Sequence, residues 1–340
     1  MKKVLITGGA GFIAHHIIAH IIKNTDWDIV TLDRLDLSGN LNRLHEILDE
    51  FSVKDKQRLK IVFHDLKAEI NSQIKSELGT PDMILHLAAA SHVDRSIIYP
   101  MEFVLDNVVG TVNLLDFARS LKNLEKFVYF STDEIFGNAP EGVSYKEYDR
   151  YNSTNPYSAS KASAEEFCVA YENTYKLPII ITHTMNVFGE RQHPEKFIPM
   201  TIQRVRDSEK VFIHANKEKT KAGSRHYIHA QDVADGLMFI LGLKNYKHEG
   251  DFGNAKCPKF NLVGPEEINN LDLAQKIAEV QKKELIYELI DNHSSRPGHD
   301  LRYSLSPNLL KSLGWEPKIK LSKRIEEVVD WSLKNKRWLS

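Results

Sequence analysis

The stretch VLITGGAGFIA, residues 4–14, decides the fold of this chain of 340 residues. Its first residues have the apolar and β-branched character of a buried strand, and from Phe12 onward the apolar spacing is that of a helix. Between the two, Gly8 and Gly9 permit a tight turn, and Gly11 lets another molecule approach the backbone closely. A strand that passes through a glycine turn into a helix predicts the first unit of an α/β sheet.

The first half of the chain repeats this alternation of strand and helix. Short runs rich in apolar and β-branched residues lie at 3–7, 28–33, 59–65, 83–89, 126–131 and 178–184. Amphipathic stretches such as 110–123 and 160–175 separate them. Near-continuous apolar strands separated by helices predict a parallel sheet covered on both faces. Right-handed crossovers then make the fold a doubly wound α/β sheet of the Rossmann type.

The alternation loosens after about residue 188, where polar loops mix with short helical patterns. We therefore expect a Rossmann domain over residues 1–188 and a smaller mixed α/β lobe over 189–340. Residues 225–262 have the pattern of a strand followed by a helix. This pattern predicts that they return in part to the first domain.

The composition argues against several classes of protein. The chain is 42% hydrophobic and 27% charged with a formal net charge of −1, which is ordinary for a globular protein and gives no reason to expect nucleic acid as a partner. The start, MKKVLITGG, is too short an apolar run for a signal peptide or a membrane span. Cys168 and Cys257 cannot form a disulfide framework, which favours the cytoplasm. The 15 histidines show no ligand spacing, so we expect no metal site.

The glycine turn predicts a site for the phosphates of a dinucleotide. Gly8 and Gly11 would lie against the phosphates, and Phe12 and Ile13 begin the helix whose free N–H groups and positive dipole end would face them. The ends of the third and fourth predicted strands would complete this site with Asp65, Leu66, Ala88 and Ala89.

The end of the second predicted strand indicates which dinucleotide binds. Asp33 stands where a carboxylate accepts hydrogen bonds from the hydroxyls of the adenosine ribose. The same carboxylate would repel a 2′-phosphate, which favours NAD over NADP. Arg34 stands next to it and keeps NADP as an alternative.

A tyrosine and a lysine, Tyr157 and Lys161, lie four residues apart in NPYSASKASAEE. This spacing places both on one face of a helix, for which Asn155 would be the N-cap and Pro156 the first residue. Beside a nicotinamide, the lysine ammonium and the positively charged ring would both favour the tyrosinate. We therefore expect Tyr157 to act as a general base near neutral pH.

These motifs together resemble the extended short-chain dehydrogenases/reductases that act on nucleotide sugars. They are most similar to the members that convert dTDP-glucose to a 4-keto-6-deoxy sugar with loss of water. The similarity runs, in order, through DRLDLSGNLNRL, HLAAASHVDRSI, STDEIFG, PYSASKASAE, PEKFIP and RPGHDLRYSLSPNLLKSLGW. It covers nearly the whole chain, and the combination of STDE with RPGHD is specific.

The resemblance implies a nucleotide-hexose 4,6-dehydratase that uses NAD. Tyr157 would take the proton of the 4-hydroxyl, with Thr132 hydrogen-bonded to the same oxygen, and Lys161 would hold the nicotinamide ribose. Glu134 would remove the proton at carbon 5, and Asp133 would protonate the departing 6-hydroxyl. Neighbouring residues of a regular strand point to opposite faces, so both carboxyl groups can serve one site only if the strand ends there. We predict that it does.

The resemblance also implies substrate contacts and a homodimer. The expected substrate-binding residues are Ser91, His92, Asn186, Lys196, Arg225, Asn261, Arg296 and His299. The helices that begin near Gly110 and Pro156 would pair with their copies in a four-helix bundle.

Three departures from the pattern of the resemblance leave the nucleotide base open. They are Ala90 in place of Glu, Met185 in place of Asn, and a longer, more basic segment over 214–226. UDP-glucose is therefore an alternative to dTDP-glucose. A 4-epimerase or decarboxylase on the same scaffold is an alternative enzyme, although a 4-epimerase has no task for two carboxyl groups. A catalytically silent NAD-binding regulator is a further alternative, against which the retained Tyr157 and Lys161 argue.

Overall fold

The computed structural model describes residues 1–36, 38–244, 246, 248–249, 255–291 and 300–340. The chain forms two compact units. The first unit comprises Met1–Ile135, Asn155–His183 and Leu237–Phe260, and the second comprises Phe136–Thr154, Thr184–Gly236 and Asn261–Ser340. No helix of the described residues is both long and apolar enough to span a membrane.

The strands, in chain order, are β1 (Lys3–Thr7), β2 (Asp28–Asp33), β3 (Leu59–Phe63), β4 (Met83–His86), β5 (Lys126–Thr132), β6 (Ile179–Thr184), β7 (Val187–Phe188), β8 (Val211–Ala215), β9 (Ser224–His226), β10 (Ile228–His229), β11 (His248–Glu249), β12 (Ala255–Lys256), β13 (Lys259–Leu262), β14 (Glu267–Asn269) and β15 (Tyr287–Asp291).

The α-helices are α1 (Phe12–Asn24), α2 (Leu41–Leu48), α3 (Val53–Lys56), α4 (Ser72–Leu78), α5 (Val93–Ile98), α6 (Pro100–Phe103), α7 (Gly110–Arg119), α8 (Pro156–Tyr175), α9 (Phe197–Arg206), α10 (Ala230–Gly242), α11 (Asn270–Val280), α12 (Asn308–Ser312) and α13 (Leu321–Lys334). A π-helical turn at Val104–Val109 joins α6 to α7, and 3-10 turns lie at Asp133–Phe136 and Lys336–Leu339.

A sheet of seven strands in the order β13-β6-β5-β4-β1-β2-β3 forms the centre of the fold. The pairs β1–β2, β1–β4, β2–β3 and β4–β5 all run parallel. The strand order reverses at β1, between β2 on one side and β4 on the other, and ligands of such sheets bind at the carboxyl ends of the strands at this point. The predicted doubly wound α/β fold is confirmed.

The core of the first unit lies between the sheet and its helices. Leu5, Ile84 and Phe127 of the sheet are completely buried, and Leu114 of α7 and Ala164 of α8 belong to the same cluster. Each large apolar side chain of this kind stabilises the fold by about 1.5–3 kcal/mol relative to an exposed one. The two helices α7 and α8 are thereby fixed against the sheet.

The helix that we expected to begin near Gly110 begins earlier. Helical backbone starts at Pro100, which occupies a first-turn position, and continues through the π-helical turn into α7. Proline suits the first turn because its missing N–H has no helical partner there. Gly110 lies inside this longer helix, where an added Cβ would be 3.2 Å from Cβ of Leu66.

The second unit has its own core and smaller strand pairs. Phe188, Ile198, Leu273, Ile325 and Val329 are buried in one cluster, formed largely by α9, α11 and α13. The pair β8–β15 is parallel and the pair β9–β14 is antiparallel. Mixed strand pairs with helices agree with the mixed α/β character that we expected for the C-terminal half.

Candidate active site

The glycine turn between β1 and α1 allows no larger residue. Gly8 has a φ of +70°, and a Cβ added to it would lie 3.0 Å from the backbone of Ala88. A Cβ added to Gly11 would lie 2.8 Å from the carbonyl oxygen of Gly8, which accepts a hydrogen bond from the Gly11 N–H at the same distance. Gly9 differs from our expectation, because its role is packing: a Cβ there would lie 2.5 Å from Cβ of Thr31.

The start of α1 fits a phosphate-binding role. Gly11 is its N-cap residue and gives it no side-chain cap, so Phe12 and Ile13 begin the helix with backbone N–H groups that a ligand can engage. Ala14 is buried one position further along the helix. These features match what a dinucleotide pyrophosphate needs.

Asp33 is held rigidly at the end of β2. Its Oδ2 accepts a hydrogen bond of 2.9 Å from the N–H of Ala10, and its Oδ1 accepts one of 2.8 Å from the N–H of Leu35. Asp33 lines a cleft of about 630 Å³ at the carboxyl end of the sheet. The cleft is also lined by the predicted cofactor residues Gly8, Gly11, Asp65, Leu66, Ala88 and Ala89.

The predicted break in the strand is confirmed. Strand β5 ends at Thr132, and the next residues, Asp133 to Phe136, form a 3-10 turn. The strict alternation of side chains between the two faces of the strand therefore stops directly before the two carboxyl groups.

The broken strand brings Asp133, Glu134 and Tyr157 together around Thr132. The hydroxyl of Thr132 donates to Oδ1 of Asp133 at 3.1 Å and accepts from the N–H of Glu134 at 3.3 Å. It also shares a hydrogen bond with the Tyr157 side chain. Burial raises the pKa of Tyr157, and the charges of Glu134 and Asp133 raise it further, because both carboxylates lie close to the phenol.

Helix α8 presents Tyr157 and Lys161 from a well-capped start. Asn155 accepts a hydrogen bond of 2.8 Å from the N–H of Ser158, and the Ser158 hydroxyl completes a capping box. The Asn155 amide also donates to Oε2 of Glu134 at 3.3 Å. The cap was predicted, and the contact with Glu134 was not, because the sequence does not indicate which loop faces the cap.

Lys161 is buried beneath the end of β5. Its ammonium donates to the carbonyl oxygen of Phe130 at 2.6 Å and lies 4.2 Å from the ring centre of Tyr129. Burial lowers the pKa of Lys161 to about 8. The ionisation of Tyr157 near neutral pH stays a prediction for the state with bound dinucleotide, since in the structure the pKa of this phenol is raised.

Two polar residues that we did not predict hold the loop after β4. His86 is buried between the hydroxyls of Thr7 at 2.7 Å and Thr111 at 2.9 Å, and burial lowers its pKa to about 3. Asn107 accepts from the N–H of Ala90 at 2.8 Å and donates to the carbonyl of Ala90 at 3.0 Å. A single polar residue in an apolar run gives too weak a signal to predict such a contact.

Comparison with known proteins assigns the family. Residues 5–328 match the family described as GDP-mannose 4,6 dehydratase. This chain belongs to that family. The resemblance to nucleotide-sugar 4,6-dehydratases found in the sequence is confirmed.

Relatives across the family match nearly the whole chain. The dTDP-D-glucose 4,6-dehydratase of Mus musculus is 34% identical over 98% of this chain and 89% of its own. The dTDP-glucose 4,6-dehydratase of Escherichia coli is 33% identical over 99% of this chain and 95% of its own.

Solved structures of family members agree with the fold. The dTDP-glucose 4,6-dehydratase of Bacillus anthracis in complex with NAD is 27% identical, with a TM-score of 0.83 over 99% of this chain and 98% of its own. The enzyme of the same name from Streptomyces venezuelae, with NAD and TYD bound, is 29% identical with a TM-score of 0.83 over the same shares. A UDP-glucose 4-epimerase from Thermus thermophilus in complex with NAD is 26% identical, with a TM-score of 0.82 over 97% of this chain and 98% of its own.

The predicted substrate residues fall into both units of the chain. Ser91 is exposed and His92 is half-buried at the start of α5 in the first unit. In the second unit, Asn186 is half-buried and Lys196 is exposed at the start of α9. Arg296 and His299 lie outside the described residues. These assignments stay predictions.

Arg225 and Asn261 form hydrogen bonds to backbone carbonyls within the second unit. The Arg225 guanidinium donates to the carbonyl oxygens of Ser224, Asp300 and Leu301 at 2.6–2.7 Å. Asn261 is 1% exposed, and its amide donates to the carbonyls of Tyr145 at 3.1 Å and Ser306 at 3.3 Å. These bonds give both side chains a structural role, and their substrate contacts stay predictions.

Proposed function

We propose that this chain is an NAD-dependent nucleotide-hexose 4,6-dehydratase that converts dTDP-glucose to the 4-keto-6-deoxy sugar and water. UDP-glucose is the alternative substrate. The observation that carries the proposal is the end of β5 at Thr132, which gathers Asp133, Glu134 and Tyr157 into one cluster. An elimination needs one acid and one base, whereas an exchange of configuration at carbon 4 needs neither carboxyl group.

The residues of the cleft fit NAD. The glycine turn and the start of α1, which has no side-chain cap, suit the pyrophosphate, and Asp33 suits the ribose hydroxyls. Bound NAD supplies the redox chemistry, because it can accept electrons from one substrate carbon and return them to another. Relatives of this chain are crystallised with NAD.

Tyr157 and Thr132 are the groups that handle the proton of the 4-hydroxyl. The oxygen of the ionised Tyr157 would accept this proton, and the hydrogen bond that Thr132 shares with Tyr157 would hold that oxygen in position. Lys161, with a pKa of about 8, lies one helical turn further along α8 and carries a positive charge near neutral pH. Its ammonium favours the tyrosinate when the dinucleotide adds its own positive charge.

Asp133 and Glu134 divide the elimination between them. Glu134 is half-buried and is oriented by the Asn155 amide, which suits a base that reaches the proton at carbon 5. Asp133 is 4% exposed and is hydrogen-bonded to Thr132, which suits an acid that protonates the 6-hydroxyl as it leaves. Opposite tasks for neighbouring carboxyl groups require different surroundings, and the two residues have them.

We also propose that the protein is a homodimer in the cytoplasm. Large apolar side chains are exposed along the segment that runs from α5 to the π-helical turn, with Ile98 66%, Met101 64% and Leu105 41% exposed. Phe167 of α8, whose helix packs against this segment, is 42% exposed. A second copy that covers these side chains would bury them. Cys168 and Cys257 are both buried and are not joined in a disulfide, which is consistent with a reducing compartment.

Incubation of the purified chain with dTDP-glucose or UDP-glucose, without added dinucleotide, tests the proposal. Mass spectrometry should show a product that has lost one water, and alkali should develop the absorbance of a 4-keto-6-deoxy sugar. A product of unchanged mass with inverted carbon 4 would instead identify an epimerase. The NAD-binding regulator would be favoured by two results together. The wild type would turn over none of the nucleotide hexoses, and Tyr157→Phe would leave whatever other activity the protein has unchanged.

The variant Asp133→Asn/Glu134→Gln tests the roles of the carboxyl groups. It should still reduce bound NAD when substrate is added, seen as the absorbance of reduced nicotinamide, but it should release no dehydrated product. Tyr157→Phe should lose both signals. Normal release of water by the double variant would contradict the mechanism.

A further inference from the structure

The guanidinium of Arg34 is fully engaged at the mouth of the cleft. Arg34 directly follows Asp33 and lines the same cleft. Its Nη1 and Nη2 donate to the two carboxylate oxygens of Asp106 at 2.5 and 2.7 Å. Its Nε and Nη2 also donate to Oδ2 of Asp36 at 3.1 and 2.7 Å. Four charge-assisted hydrogen bonds therefore hold the group that could otherwise bind a phosphate.

Arg34 also lies 3.5 Å from Asp65, and the three carboxylates differ in how firmly they can hold it. The side chain of Asp106 is 10% exposed, whereas those of Asp36 and Asp65 are 40% and 38% exposed. Asp106 also binds in the two-pronged geometry that is the strongest for a guanidinium and a carboxylate. Solvent screens exposed ion pairs, so most of the restraint on Arg34 comes from Asp106.

The position of Asp106 is fixed by the fold. It belongs to the π-helical turn between α6 and α7, and its neighbour Asn107 is anchored to both backbone groups of Ala90. Ala90 lines the cleft as well. The backbone that carries Asp106 is therefore held in place, and its carboxylate has a defined position at the cleft.

The charges of the cleft disfavour a further phosphate. Among the described residues, its lining includes four aspartates, Asp33, Asp36, Asp65 and Asp106, and only two basic side chains other than histidine, Arg34 and Lys67. In dinucleotide sites an arginine near this position accommodates the 2′-phosphate of NADP. An arginine that is already neutralised by two carboxylates cannot do this without breaking their hydrogen bonds.

We propose that Asp106 is a determinant of cofactor specificity: it holds Arg34 away from the 2′ position of the adenosine ribose and thereby excludes NADP. The proposal rests on the proposed function only in taking NAD as the dinucleotide of this cleft. It answers the question that Arg34 raised in the sequence, where this residue kept NADP open. Without Asp106, Arg34 keeps only the more exposed Asp36 as its two-bond partner and can turn toward a 2′-phosphate.

Asp106→Asn tests this proposal by removing the charge and keeping the shape. Isothermal titration of the full-length chain with NAD and with NADP gives the ratio of the two dissociation constants. Loss of a charge-assisted pair typically changes a dissociation constant by about 10–100-fold. We therefore expect the preference for NAD over NADP to fall by at least about tenfold. The dinucleotide that co-purifies, identified by mass spectrometry, should shift in the same direction.

Two controls separate the effect of Asp106 from a general change of charge. Asp116→Asn neutralises an exposed aspartate of α7 that pairs with Arg119 outside the cleft, and should leave the ratio unchanged. Asp106→Asn/Arg34→Met should lose the gain in NADP affinity, because the released arginine is then absent. An unchanged ratio in Asp106→Asn, or a gain that survives in the double variant, would overturn the proposal.

Arg34→Met examines the same pair from the other side, and serves if Asp106→Asn does not fold. It leaves Asp36 without its arginine partner and Asp106 with only the longer Lys67 contact at 3.7 Å, so NADP should bind about tenfold more weakly than to the wild type. Tighter binding of NADP would refute the proposal. Failure of the wild type to bind either dinucleotide would instead refute the proposed function itself, and the two failures are thus distinguishable.

Discussion

A buried ion cluster beneath the active site gives the sharpest test of how the catalytic helix is held. Glu165 of α8 is completely buried and lies four residues beyond Lys161, on the same face as Tyr157. Its Oε1 accepts a hydrogen bond of 2.7 Å from Nζ of Lys259, and His183 lies 3.2 Å from both of its oxygens. The cluster therefore ties α8 to strands β6 and β13 inside the first unit.

Glu165→Gln removes the charge of this cluster and keeps its shape. Burial alone would raise the pKa of Glu165, but His183 and Lys259 outweigh burial and hold the pKa well below its usual range. The side chain of Lys259 is only 9% exposed, so its charge must then be carried without a buried carboxylate. Breaking a buried pair in this way costs about 3–5 kcal/mol, and we expect a loss at the lower end of this range because glutamine retains hydrogen bonds.

Denaturant unfolding at neutral pH measures this loss, with two comparisons. Glu166→Gln changes the exposed neighbour on the same helix and should cost less than about 0.5 kcal/mol. Glu165→Gln/Lys259→Met removes both charges and should recover much of the lost stability. If Glu165→Gln cost no more than Glu166→Gln, or if the double variant were the less stable one, the argument from buried charge would be refuted.

The pH dependence of the same experiment has a definite sign. The pKa of Glu165 is lower in the folded than in the unfolded chain, so its contribution is fully present above its ordinary value of 4.5 and is lost as the pH falls through the folded value. The difference between wild type and Glu165→Gln should therefore be largest near neutral pH and shrink in acid. The charge of Glu165 also raises the pKa of Lys161. The alkaline limb of the activity profile should accordingly move to lower pH in this variant.

Three further outcomes follow from the geometry of the site. Gly8→Ala places a Cβ 3.0 Å from the backbone of Ala88 at a φ of +70°, so we expect the free energy of unfolding to fall by about 1–3 kcal/mol, measured by thermal unfolding. The variant should also retain the dinucleotide more weakly, measured by the absorbance of the released cofactor. Normal retention would contradict the close approach. Asn155→Ala should lower the free energy of unfolding by about 1 kcal/mol through the lost cap. Asn155→Asp should keep the cap but lower the activity at least tenfold, because it sets a carboxylate against Glu134. Equal activities of Asn155→Asp and the wild type would show that this contact does not affect catalysis. Met101→Lys should give a monomer by light scattering, since it puts a charge into the exposed apolar segment from α5 to the π-helical turn, and an unchanged oligomer would exclude this surface as the dimer interface.

Local features of the site could be predicted from the sequence because each depends on a few neighbouring residues. The turn at Gly8, the cap at Asn155 and the end of β5 after Thr132 are of this kind. At Gly8 and Asn155 a local requirement, a positive φ or a side chain that caps a helix, restricts the residue type. The end of β5 was predicted because two neighbouring carboxyl groups on a regular strand would face opposite sides.

Partners distant in sequence could not be predicted. Arg34 and Asp106 are 72 residues apart, and Glu165 and Lys259 are 94 residues apart. Nothing in either local sequence distinguishes a cation that will be neutralised by the fold from one that will bind a ligand. Arg225 is a further example, because the sequence does not indicate that its guanidinium donates to the backbone carbonyls of Ser224, Asp300 and Leu301.

The surroundings of Tyr157 explain why its ionisation should depend on the bound cofactor. Burial and the charges of Glu134 and Asp133 all favour the neutral phenol, and the Lys161 ammonium is directed to the carbonyl of Phe130 at 2.6 Å. The carboxyl groups that an elimination needs are thus the same groups that oppose the tyrosinate. An additional positive charge close to the phenol would shift this balance toward the tyrosinate, and under the proposed function the oxidised nicotinamide would supply it. If Tyr157 has the proposed role, a free site that keeps it protonated would become basic when NAD binds, and proton removal from the sugar would then depend on the presence of the group that oxidises it.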